Sequence, residues 1–81
     1  MTLSELDNYF RTKNIHPDAI SLGVGLPSET EKYCIVKINN TWEVYYSERG
    51  TKGQLTLFKS ETKACDYFIN LVLSDNSVWL P

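Results

Sequence analysis

The residues that could carry chemistry in this chain are two cysteines, one histidine and ten acidic side chains. His16 stands directly before Pro17, and no second histidine exists to complete a metal cluster or a catalytic pair. It reads as a turn or surface residue. Cys34 and Cys65 are far apart and have no CxxC spacing, so they indicate neither a disulfide framework nor a zinc site. A single bridge between them stays open, although both fall at positions expected to be buried, where a free cysteine is a common small apolar filler. The run Gly23-Val24-Gly25 lacks the lysine and the preceding strand of a phosphate loop. No serine or cysteine sits in a nucleophile-elbow context, and spacing alone cannot bring two carboxylates together. The expectation is a chain that is not an enzyme and needs no metal or other cofactor.

Binding chemistry is better represented. Five Tyr, three Phe and two Trp are many for 81 residues, and the segment Trp42-Glu43-Val44-Tyr45-Tyr46-Ser47-Glu48-Arg49-Gly50 concentrates the residue types that dominate protein interfaces. Charge is uneven behind the net −2. Residues 1–31 carry Glu5, Asp7, Asp18, Glu29 and Glu31 against Arg11 and Lys13, while residues 32–63 carry Lys32, Lys37, Arg49, Lys52, Lys59 and Lys63 against Glu43, Glu48 and Glu61. A mildly basic sheet bearing Tyr33, Trp42, Tyr45, Tyr46 and Phe58 could stack bases, which makes a small nucleic-acid-binding or regulatory module the alternative to a protein binder. A pI near 5.2 argues against it, as does the need for aromatics in so small a core.

Those residues must be positioned by a few short elements. Thr2 and Glu5 have capping-box spacing, and Leu3, Leu6, Tyr9 and Phe10 share a stripe, which predicts a helix from Thr2 to Lys13 with Asn14 as a left-handed stop. His16 to Ile20 can start a helical turn, and Gly23 to Pro27 reads as the main linker. Tyr33 to Ile38 and Thr41 to Glu48 alternate in polarity around Asn39-Asn40, a tight-turn pair, and predict a hairpin. Arg49 to Gly53 reads as a loop, and Gln54 to Phe58 as a third short strand. Ser60 is an N-cap for a second helix whose apolar face is Ala64, Cys65, Phe68, Ile69 and Val72, ending near Asp75-Asn76. The tail around Trp79 is apolar enough to pack on the domain or a partner.

The expected fold class is therefore α+β: one single domain over residues 1–81, three antiparallel strands in a meander packed against an N-terminal and a C-terminal helix. A chain of this length can bury only about 60 to 65% of its unfolded surface, which leaves no room for a second domain or a large cofactor fold. No stretch approaches the ~20 apolar residues of a membrane span, and MTLSELDNYF lacks the basic and apolar regions of a signal peptide. A soluble, reduced, cytoplasmic protein with no membrane partner is expected. If Trp42, Val44 and Tyr46 face the helices, Glu43, Tyr45 and Ser47 lie on the opposite face, with Glu48 and Arg49 at the strand end. There the two charges serve either a local ion pair or a partner.

The run at residues 42–50, followed by Phe58 and the helix entry Ser60-Glu61-Thr62-Lys63-Ala64-Cys65, resembles a group of small bacterial immunity proteins. These accompany polymorphic toxins, including those of contact-dependent growth inhibition systems. The resemblance covers about residues 31 to 73. It implies a cytoplasmic, non-enzymatic toxin inhibitor that forms a one-to-one complex with a cognate toxin domain, covering the active site or locking a remote surface. If the toxin is a nuclease, acidic side chains would face its phosphate-binding basic residues, with aromatics as anchors. The modest net charge leaves an exosite contact or another toxin class open. On this reading Glu43, Tyr45, Glu48 and Arg49 are the contact residues, and Trp42 and Tyr46 belong to the core.

Overall fold

The computed structural model describes residues 1–23 and 31–80. Its elements are α1 (Leu3–Arg11), β1 (Ile20–Leu22), β2 (Lys32–Ile38), β3 (Thr41–Glu48), β4 (Thr51–Phe58) and α2 (Glu61–Leu73), with 3-10 turns at Pro17–Ala19 and Asn76–Val78. The class is α+β as expected, but the sheet is mixed and four-stranded, in the order β1-β2-β3-β4. The additional strand, β1, pairs in parallel with β2, Ile20 opposite Tyr33 and Leu22 opposite Ile35. Three residues are too few to show alternation, so the sequence pattern gives no sign of it. Gly23 closes β1 with φ 82° and donates its N–H to the Ile35 carbonyl at 2.8 Å. Residues 24–27 of the expected linker lie outside the described residues.

Helix α1 begins as the spacing predicts. The Thr2 side chain accepts from the Glu5 N–H, and Glu5 accepts from the Thr2 N–H. That second bond holds the Glu5 carboxyl below the usual carboxylate range. The helix ends earlier than predicted. Thr12 caps it in the right-handed region, its hydroxyl donating back to the Tyr9 carbonyl at 2.7 Å, so Asn14 is not needed as a left-handed stop. Helix α2 starts at the Ser60 N-cap, where Oγ accepts from the Lys63 N–H. Glu61 also reaches across to accept from the Leu3 N–H at 2.9 Å. One carboxylate thus serves the positive ends of both helices.

The β2–β3 hairpin turns at Asn39-Asn40, with Asn39 at φ 58°, in the register Ile38 opposite Thr41. The β3–β4 connection is tighter than the expected loop from Arg49 to Gly53. Arg49 (φ 52°) and Gly50 (φ 80°) alone make the turn, and β4 starts at Thr51. Gly53 therefore lies inside the strand. A Cβ there would meet the Tyr46 carbonyl at 3.2 Å, so this glycine marks close backbone approach rather than a loop end. Beside it the register slips opposite Tyr45, and Gln54 takes φ 53°, a β-bulge.

Both helices cover one sheet face. Leu6 and Phe10 of α1, Ala64, Cys65, Phe68 and Val72 of α2, and Ile35, Trp42 and Val44 of the sheet form the main core. Phe10 meets Phe68 edge-on at 5.8 Å. The face opposite the helices, where Tyr45 was expected to meet a partner, is itself buried in part: Cys34, Val36 and Tyr45 form a second buried cluster, with Ile38 packed on it. Cys34 and Cys65 are both free thiols and belong to opposite faces of the sheet. Burial pushes both thiols up in pKa. The tail turns back antiparallel to residues 14–16, through His16 N–H to Val78 carbonyl (2.9 Å) and Leu80 N–H to Asn14 carbonyl (2.7 Å). Val78 is the tail residue that enters the core, while Trp79 stays more than a third exposed. No described helix is long and apolar enough to cross a membrane.

Candidate partner-binding surface

The four residues expected to contact a partner fall into two environments. Glu43 lies on the face away from the helices, where its carboxylate is bound to the Lys52 ammonium at 2.7 Å with both side chains mostly covered. Register explains the pair: Lys52 stands opposite Ser47 on the same face, and its chain runs back over the ring of Tyr45, Nζ 5.0 Å from the centroid. Tyr45 is fully buried, so it offers a partner no surface in this conformation. Its hydroxyl has no hydrogen-bond partner of proper geometry. Burial, and then the neighbouring Cys34 thiol, push its pKa up to about 12. Strand alternation assigned Tyr45 to the correct face but could not show that Lys52 folds over it.

Glu48 and Arg49 are exposed at the β3–β4 turn. Among the described residues no ion pair joins them, which removes the local-pair reading. Thr51 Oγ1 donates to the Glu48 carbonyl at 2.6 Å and fixes the turn, leaving the Glu48 carboxylate directed by its strand position. That position places it on the helix-side face, two residues beyond Tyr46.

At Tyr46 the structure brings together a set of residues that the sequence does not. A groove of about 240 Å³ is lined by His16, Asp18, Glu31, Tyr33, Tyr46, Asp75 and Ser77, with Ala19 and Val78 supplying apolar wall. Tyr33 and Tyr46, opposite each other on β2 and β3, bring their rings to 4.8 Å. The Tyr33 hydroxyl donates to Asp75 Oδ2 at 2.7 Å, and the Tyr46 hydroxyl donates to Glu31 Oε2 at 3.1 Å. Asp75 is also the cap of the last 3-10 turn, its Oδ1 accepting from the Ser77 N–H at 2.9 Å and the Ser77 hydroxyl at 2.6 Å.

The electrostatics follow from those bonds. The Ser77 hydroxyl, then the Tyr33 hydroxyl and the Ser77 N–H, hold the Asp75 carboxyl below the ordinary carboxylate range. Burial, and then the bond to Asp75, push Tyr33 up to about 12. Tyr46 is raised by burial, by its bond to Glu31, and by the negative charges of Glu31, Glu48 and Asp75. Glu48 does not line the groove, but it lies two residues beyond Tyr46 on the same face and adds negative charge there. Among the described residues no Lys or Arg lines the groove. Three carboxylates, with Glu48 beside them, surround an aromatic pair with no basic counterpart except His16, and such a site favours a lysine or arginine side chain. Asp18, Glu31, Tyr33 and Asp75 escape a reading of spacing because they come from four separate segments. The acidic excess of residues 1–31 is the one sequence signal that anticipates two of them.

A second groove of about 540 Å³ runs between α1 and β1, floored by Phe10, Ile15, Ile20 and Leu22 and edged by Asp7, Arg11 and Lys13. Arg11 is bound to Asp7 at 3.2 Å along the helix. Asp7 offsets Arg11 and leaves Lys13, whose ammonium lies over the Tyr9 ring, in contrast to the acidic groove. Comparison with known families, with curated proteins and with solved structures finds no match to this chain.

Proposed function

We propose that this chain is an immunity protein, a non-enzymatic inhibitor that binds a cognate bacterial toxin domain one-to-one and neutralises it. The observation that carries the reading is the groove in which Asp18, Glu31 and Asp75 surround the paired rings of Tyr33 and Tyr46 without a lysine or arginine among them. A nuclease toxin carries basic residues for its phosphates, and an acid-lined aromatic groove is their complement. Tyrosine supplies stiff contact area at little entropic cost, and carboxylates already held by hydrogen bonds lose little freedom on binding. Local concentration of charge also answers the low net charge, since −2 over the whole chain coexists with a strongly negative site.

Glu48 and Arg49 extend the proposed contact along the β3–β4 turn, whereas Glu43 acts through Lys52 and Tyr45 through the packing beneath it. The reading implies work in the cytoplasm, in keeping with two free buried thiols. The alternative of base stacking on the sheet gains no support, because Trp42 and Tyr45 are buried and the groove around Tyr33 and Tyr46 repels phosphate. The test is co-expression with a toxin domain sought in the reading frame upstream of the gene. Growth should be rescued and a complex should survive size exclusion. Failure of both would overturn the proposal.

A further inference from the structure

Strand β4 is an edge of the sheet among the described residues. Sheet edges expose unpaired N–H and C=O groups and are normally blunted by proline, by charge or by shortness. Here the eight-residue strand carries no proline, and from Gly53 to Phe58 it carries no charge. Its one cation, Lys52, is turned inward across its own sheet to Glu43. The bulge at Gln54 protects only the end near the turn, and the regular part beyond it exposes Leu55 at 45% and Leu57 at 59%. Tyr67 of α2, 38% exposed and 5.2 Å from the Phe58 ring, borders the same edge on the helix side. The opposite edge, β1, has only three residues.

We infer that β4 pairs antiparallel with β4 of a second copy of this chain, joining two sheets into one of eight strands. A two-fold axis at Thr56 sets Leu55 opposite Leu57 of the other copy, and Leu57 opposite its Leu55. All four leucines then lie on one face, and the two α2 helices with their Tyr67 side chains lie on the other. An antiparallel edge is self-complementary in its backbone donors and acceptors, and an uncharged segment meets no repulsion from its own copy. A strongly charged partner finds no counter-charge there. Pairing over residues 54–58, about 17 Å of strand, with the helix layer alongside, covers on the order of 500 Å² of each copy. That lies at the lower limit of specific interfaces, so the dimer depends on concentration.

Sedimentation velocity of the full chain from low-micromolar to near-millimolar concentration tests this. The mass should rise from 9.3 kDa toward twice that value, and exchange of the Leu55 and Leu57 amides should slow over the same range. Leu57→Lys and, separately, Leu55→Lys, both at exposed positions and checked for an unchanged thermal melt, should weaken self-association by about tenfold or more. A chain monomeric at every concentration overturns the inference. So does a dimer that both lysine variants leave intact, or one that leaves the β4 amides unprotected.

Discussion

The bond between Tyr33 and Asp75 both shapes the acidic groove and ties the C-terminal turn to β2, and a double-mutant cycle can isolate it. At 2.7 Å to an ionised carboxylate it is charge-assisted, a class that contributes about 1.5–3 kcal/mol when sheltered. The pair stands at the mouth of a groove, so screening by solvent reduces the expected coupling to about 1 kcal/mol. Tyr33→Phe alone should then lower the melting temperature by about 4–8 °C, the scale for a domain of this size. Asp75→Ala should cost about 2 kcal/mol, because it also removes the side-chain cap of the last 3-10 turn. The sign with pH follows from the depressed carboxyl of Asp75. Its contribution is fully present above the ordinary carboxylate value, ~3.9, and is lost as the pH falls through the lower folded value. Tyr33 works in the opposite direction, since its folded pKa is raised: its share is present below ~10 and lost as the pH rises through about 12. Urea titrations of the four proteins at neutral pH and near pH 2, followed by circular dichroism, read the coupling directly. A neutral-pH coupling below about 0.3 kcal/mol, or one that persists undiminished in acid, would refute the reasoning.

Trp42 is buried between the helices and the sheet, so Trp42→Ala should cost about 3–5 kcal/mol, measurable as a lost or strongly shifted denaturant midpoint. Tyr45→Phe should leave stability unchanged or raise it by about 1 kcal/mol, since it deletes a buried hydroxyl that lacks a partner while keeping the ring under Lys52; a loss of that size in a thermal melt would show that the hydroxyl is bonded. Gly50→Ala, at φ 80° with open space around it, should cost about 1 kcal/mol through backbone strain alone, seen as a lower midpoint with an unchanged denaturant slope.

What could be read from the sequence, and what could not, divides along range. The start and buried face of helix α2 were legible, because Ser60, Glu61 and the stripe from Ala64 to Val72 are local signals that agree, while its end came at Leu73, short of the expected Asp75-Asn76. The hairpin around Asn39-Asn40 and the face each β3 residue takes were legible for the same reason, but not the buried cluster on the far face or the place of Tyr46 in the groove rather than the core. Strand β1 was not, because three residues held by pairing with β2 have no periodicity of their own. Gly53 misled because a glycine that ends a strand and one that admits a neighbouring carbonyl look alike in sequence. The contact residues split similarly. Glu48 and Arg49, expected at the strand end, stand exposed there, while Tyr45 was assigned to the right face and the wrong exposure, a distinction that depends on where the Lys52 side chain lies. The acidic groove needed the fold itself, since β2, β3, the first 3-10 turn and the C-terminal turn each contribute to it.

The central claim is that a basic toxin surface docks in this groove, and the most direct measurement is the association rate with a toxin domain whose growth inhibition this chain relieves on co-expression. The rate should be compared between the native chain and the exposed charge reversals Asp18→Lys, Glu31→Lys and Glu48→Lys across a range of salt. Each reversal should slow association, by about tenfold when all three are combined at low salt, with the difference shrinking as salt screens it. Association that is equally fast in the native and triple-reversed proteins would contradict the claim.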